Sequence, residues 1–107
     1  MTTGLNIRSI PLSSLKILSD YWTLRIIDEL SAGELRFCEL ERQLHGSNTA
    51  TLSKRLKDMQ AYGLLSRNEM SRADVVYALT DLGRSALPIL EAISNFSKAA
   101  QKNGHKL

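Results

Sequence analysis

Thr49, Ala50, Ser53, Lys54 and Lys57 would place two hydroxyls, a methyl and two ammonium groups along one side of a helix, because residues three and four apart stack. Thr49 and Ser53 can hydrogen-bond to base edges or phosphates, Ala50 can meet a thymine methyl, and the two lysines can clamp phosphate or read guanine. This is the chemistry of holding and reading a polyanion. Asn48 is the expected N-cap of that helix, with Ser47 competing. Arg55 falls nearer the core boundary, where it either braces the helix or touches phosphate. Arg36 precedes a shorter helix and could meet a nucleic-acid backbone. Arg67 and Arg72 belong to a hairpin downstream. Arg72 is at its expected tip and is read as a phosphate or minor-groove contact, while Arg67 fits contact and a solvated hairpin equally. The same residues could also form an ordinary solvated face, so the elements carrying them decide the matter.

Bond-breaking chemistry has no such cluster. The sequence holds no Ser-His-Asp pattern, phosphate loop or paired acidic motif, so it does not read as an enzyme. One cysteine and two histidines make no credible metal set, and no cofactor is expected. Cys38 reads as a small helix residue rather than a reactive thiol, since no Lys or His stands beside it to activate it.

Phe37, Leu40 and Leu44 repeat at helical spacing, and His45-Gly46-Ser47-Asn48 breaks the pattern. Leu52, Leu56 and Met59 begin a second pattern that ends near Ala61, with Gly63 just beyond it. Two helices joined by a Gly-containing turn, the second one basic, predict a helix-turn-helix. Residues 64–70 and 75–79 read as strands around a loop at 71–74, a β-hairpin wing. Upstream, a brief helix over 13–18 turns Leu15 and Leu18 inward. Asp20 caps a helix to about Leu30 whose apolar set is Trp22, Ile26, Ile27 and Leu30. Residues 34–37 read as a short extended segment.

Thr80 is expected to cap a final helix running to about Gln101, bent near Arg84 by Pro88. Leu82, Ala86, Ile89, Ile93, Phe96 and Ala100 form a heptad-like seam along it. A helix of roughly 20 residues extends about 30 Å, more than so small a core requires. The surplus apolar face predicts a second subunit, with Leu15 and Leu18 joining the interface. The fold class is therefore mainly α with a small β-hairpin (α+β), a winged helix-turn-helix with N- and C-terminal dimerisation helices. Residues 1–11 are a tail, 12–80 the winged-helix core, and 81–107 the dimerisation helix with a short tail.

The 107 residues make one domain, and 43% hydrophobic with 23% charged residues is a folding composition. Net charge is only +3, but it is unevenly placed. Residues 54–72 carry Lys54, Arg55, Lys57, Arg67 and Arg72 against Asp58 and Glu69, so this window holds the whole excess. No apolar run approaches the roughly 20 residues that span a bilayer, and Lys16 interrupts the weak apolar stretch near the N-terminus. A single cysteine fits a reducing compartment. The expected location is cytoplasmic, with no membrane partner.

Several segments taken together resemble the HxlR-type (DUF24) family of winged-helix transcription regulators. They are residues 22–30 (WTLRIIDEL), Leu35-Arg36-Phe37 with Glu39-Leu40, residues 52–56 (LSKRL), Gly63-Leu64, Tyr77-Ala78-Leu79-Thr80, Leu82-Gly83-Arg84 and Leu87-Pro88-Ile89-Leu90. The resemblance spans about residues 15–99. It implies a homodimer joined through its terminal helices, binding of operator double-stranded DNA, and repression or activation of nearby genes without a metal. The chain departs from the family where a Cys-Pro pair usually precedes the first helix, since Ile10-Pro11 stands nearest. Asp20-Tyr21 replaces the usual Gly-Lys, and the wing loop lacks prolines. Sensing through the familiar cysteine is therefore not expected, and a small-molecule effector is left unidentified. A winged-helix protein-interaction module without sequence-specific DNA binding is the rival reading.

Overall fold

The computed structural model describes residues 6–105 of the chain. One turn of 3-10 helix, Ile7–Ser9, leads into α1 (Leu12–Leu18) and α2 (Tyr21–Leu30). Then come β1 (Leu35–Arg36), α3 (Phe37–Gln43), α4 (Thr49–Tyr62), β2 (Leu65–Ser71) and β3 (Asp74–Leu79). Two more helices close the chain, α5 (Asp81–Arg84) and α6 (Leu87–Lys102).

Side-chain caps set the helix starts. The Asp20 carboxylate accepts the Thr23 N–H at 2.9 Å, and Asn48 Oδ1 accepts the Thr51 N–H at 2.7 Å. α4 ends at Gly63, whose φ of +94° is a left-handed conformation that costs a side-chain-bearing residue energy. The Leu64 N–H then closes back on the Met59 carbonyl at 2.9 Å. Thr23, Ile26, Ile27 and Leu30 of α2 are buried against Leu52, Leu56 and Met59 of α4 and Leu40 of α3. Trp22 is half-buried at the edge of this core, with the Tyr21 ring edge-on to it.

The sheet has strand order β1-β3-β2, all antiparallel. Leu35 of β1 faces Tyr77, so the short extended segment becomes a third strand and ties the hairpin to the start of α3. The register pairs Leu65 with Leu79 and Arg67 with Tyr77. Arg72 and Ala73 form the turn, inside the Ser71–Asp74 pair. Among the described residues no non-glycine has positive φ, so the turn is not of the mirror type that matches strand twist. Between Glu69 and Ser71 the register shifts by one residue, a bulge at Met70 that takes up the mismatch.

The C-terminal segment differs from the expected single bent helix. Thr80 does cap a helix, accepting the Gly83 N–H, but that helix is α5 and it stops at Arg84. Pro88 has no N–H to give the Arg84 carbonyl, so the helix ends where a bend was expected. A new helix begins with Pro88 in its first turn, a position where a missing N–H is harmless. Ala86, expected on the intersubunit seam, lies between the two helices and is only 4% exposed, packed into its own chain's core. No described helix is long and apolar enough to cross a membrane.

Candidate nucleic-acid interface

Burial of Leu52, Leu56 and Met59 turns the opposite side of α4 outward. Ala50, Ser53, Lys54 and Lys57 are all exposed there, three and four residues apart. Lys54 Nζ is 3.0 Å from Asp58 Oδ2, one turn further on. Both groups are solvated, so the pair is worth only a few tenths of a kcal/mol and leaves Lys54 free to exchange partners. Lys57 makes no ion pair among the described residues.

At the start of α4, the Thr49 hydroxyl donates to Glu41 Oε2 at 2.8 Å. This bond fixes α4 against α3 and occupies one of the hydroxyl's hydrogen-bonding directions. Asn48 uses its carbonyl oxygen as the cap, and its amide N–H₂ stays exposed. Gly46, at φ +95°, turns the chain between the two helices beside the Trp22 ring.

Arg55 turns away from this face. Its Nε lies 2.8 Å from Asp20 Oδ2 and its Nη2 3.0 Å from Asp20 Oδ1, a two-pronged ion pair between α4 and the cap of α2. Burial pushes the Asp20 carboxyl up, but hydrogen bonds from Arg55 and from the Thr23 N–H and hydroxyl outweigh it and hold its pKa below the usual value. Arg55 is raised mainly by the same hydrogen bond. Of its two expected roles, the structure assigns the brace. No spacing rule could have found Asp20 as the partner, because the pair closes a loop of 35 residues.

The wing brings Arg67 and Arg72 near the start of α3, where Arg36 stands. The Arg36 N–H donates to Glu39 Oε1 at 2.8 Å, and Arg36 Nε lies 3.2 Å from Asp74 Oδ1. That contact is poorly aligned, and Asp74 Oδ1 is buried with no hydrogen-bond partner among the described residues. Arg67 makes a loose 3.9 Å pair with Glu69. Arg72, at the tip, has no ion-pair partner among the described residues.

The apolar seam is partly open. Leu82 is exposed, and so are Ile89, Ile93 and Phe96, the last at 73%. Ala100, Leu15 and Leu18 are half-buried, and Leu18 packs on its own core.

A helix-turn-helix whose second helix exposes a polar, basic face, followed by a β-hairpin, defines a winged-helix DNA-binding protein. Residues 17–105 match the HxlR-like helix-turn-helix family, and the chain belongs to that family. It is a DNA-binding transcriptional regulator. An HTH-type transcriptional regulator of Halalkalibacterium halodurans is 35% identical over 102 residues, covering 92% of this chain and 90% of that protein. YvaP of Bacillus subtilis, another HTH-type transcriptional regulator, is 36% identical over 83 residues, 76% of this chain and 77% of its own. Among solved structures, a protein described as a MarR-family transcriptional regulator from Porphyromonas gingivalis superposes with a TM-score of 0.78 at 29% identity. That match covers 90% of this chain and 97% of the other.

Proposed function

We propose that the chain works as a homodimer that reads a specific duplex, with α4 in the major groove and the β2–β3 wing on the adjacent backbone or minor groove. The observation that carries this reading is the division of α4 into a buried Leu52, Leu56, Met59 side and an exposed Ala50, Ser53, Lys54, Lys57 side. Ser53, Ala50, Thr49 and the Asn48 amide would meet base edges, while Lys54, Lys57 and Arg72 would hold phosphates. Arg36 and Arg67 are the weaker backbone candidates, since each has an acidic neighbour.

Support for the homodimer comes from α6. None of its 16 residues is fully buried in its own chain; Leu87 and Leu90 pack on the core, but the apolar Ile89, Ile93 and Phe96 stay exposed. A two-fold axis through that face would set two α4 helices on one side of the duplex. The operator is then a rough inverted repeat with half-sites about 10 bp apart or slightly more.

The test uses duplexes selected from a random pool. Changing Lys54 and Lys57 together to Glu should abolish binding, while the thermal midpoint stays nearly unchanged because exposed substitutions cost little stability. A double variant that still binds its duplex with wild-type affinity would refute the assignment. Ser53→Ala should shift base preference more than overall affinity.

A further inference from the structure

Period-two alternation puts Leu65, Arg67 and Glu69 of β2 on the sheet face that carries Leu79, Tyr77 and Val75 of β3, because these are cross-strand partners. Near the helices that face is filled by Leu65 and Leu79. Further out, an open cleft of about 490 Å³ is lined by the hairpin and the start of α3. Arg67 and Arg72 line the cleft together with Phe37, Val75 and Tyr77. Arg36 borders it too, but the register pairs Arg36 with Val76, so its side chain and its partner Asp74 belong to the other face of the sheet.

We propose that this cleft binds a small carboxylic acid with an aromatic or branched apolar body, and that its occupation opposes DNA binding. The volume lies within the range of small-molecule sites, which combine apolar walls with a few convergent polar groups. Both wing guanidiniums have donors to spare. Arg72 has no ion-pair partner among the described residues, and Arg67 reaches Glu69 only at 3.9 Å. Guanidinium forks match carboxylates geometrically. Glu69 subtracts charge, but the two arginines still leave an excess of one. A bare hydrated anion would leave the open surfaces of Phe37 and Val75 unused, whereas an apolar acid covers them.

Opposition to DNA follows from shared groups and rests on the proposed wing contact. An acid held by Arg67 and Arg72 takes from the wing the cations that would meet phosphate, and linkage makes the antagonism mutual.

The probe is benzoate, with benzamide and inorganic phosphate as controls, followed by amide NMR shifts of the DNA-free protein. Benzoate should shift residues 36–38 and 72–77 saturably, and benzamide should not. Arg67→Ala and Arg72→Ala, both at exposed positions, should each weaken benzoate roughly tenfold. No saturable shift at ~10 mM benzoate, a concentration well above any useful affinity, overturns the site. Phosphate binding as tightly as benzoate overturns the choice of an apolar acid. In the second arm, saturating benzoate should weaken binding to the selected duplex at constant ionic strength. Unchanged duplex affinity there refutes the antagonism while the regulator reading stands. Absence of any duplex binding refutes the wing contact, and with it the antagonism, leaving the NMR result to judge the cleft alone.

Discussion

The Asp20 carboxylate accepts from Thr23 at the first turn of α2 and from both prongs of Arg55 on α4. Asp20→Asn separates these roles, because Asn caps a helix as well as Asp does but lacks the charge Arg55 needs. Loss of a partly buried, charge-assisted pair should cost about 1–3 kcal/mol, read by urea unfolding at neutral pH. The sign of the pH dependence follows from the lowered Asp20 pKa. A carboxyl more acidic when folded than when unfolded adds stability that is fully present above its unfolded pKa, about 3.9, and is lost as pH falls through the folded value. The wild-type advantage over Asp20→Asn should therefore shrink as pH falls below about 4. A gap that stays constant down to the lowest pH at which both fold would mean that the bridge contributes nothing. Duplex binding should also weaken in the variant, because Arg55 sets how α4 sits. Cys38 lies exposed at the start of α3, the chain's single cysteine. Cys38→Ser should leave duplex binding intact, and mild oxidant should not switch it. Reversible, Cys38-dependent loss of binding would overturn that expectation.

The elements differ in how far local signals determine them. Asn48, Gly63 and the Leu52-Leu56-Met59 spacing sit within α4 or beside it, so its limits and its buried side were legible from the sequence. The division between α5 and α6 was not, because it depends on whether a long helix tolerates the lost bond at Pro88 or breaks. Tertiary packing decides for the break. A Cβ on Gly83 would sit only 2.2 Å from the Leu64 carbonyl oxygen, so α5 is pressed onto the chain leaving α4. Gly83→Ala should accordingly destabilise by about 1–3 kcal/mol through overpacking, despite alanine's better helix propensity. A Gly83→Ala variant as stable as wild type in urea would mean that α5 moves away freely. The wing was legible as two strands and the third strand as an extended segment at 34–37, but its pairing with β3, the bulge and the cleft were not, since each depends on pairing across the sheet. Arg72→Ala tests the wing as a DNA contact. It should weaken all duplexes alike and flatten the salt slope by roughly two units per dimer, one phosphate per subunit. An unchanged slope would leave the tip in solvent.

At the scale of the whole molecule, the radius of gyration is 15.7 Å and the extents are 50 × 32 × 23 Å. A compact chain of this length would have a radius of about 13 Å. α6 accounts for much of the difference, a helix of 16 residues that packs on α2 yet keeps Ile93 at 46% and Phe96 at 73% exposure. The heptad-like spacing of Ile89, Ile93 and Phe96 was readable in the sequence, and these three residues, with Leu82 on α5, are the part of the seam left uncovered. Ala86 was the error, because an apolar repeat does not say which of its members the chain's own core will claim. Ile93 and Phe96 are therefore the residues to change. Replacing both with Asp should cost little in an isolated subunit, where these positions are wet. In a dimer it would bury unpaired charge at a cost of several kcal/mol. The double variant should sediment as a folded monomer where the wild type sediments as a dimer. It should also lose tight binding to an inverted repeat, because one half-site alone offers too few contacts. Circular dichroism and a urea midpoint close to wild type would separate dissociation from unfolding. A wild type that sediments as a monomer at micromolar concentration, or a double variant that stays dimeric and binds normally, would show that α6 serves only its own chain.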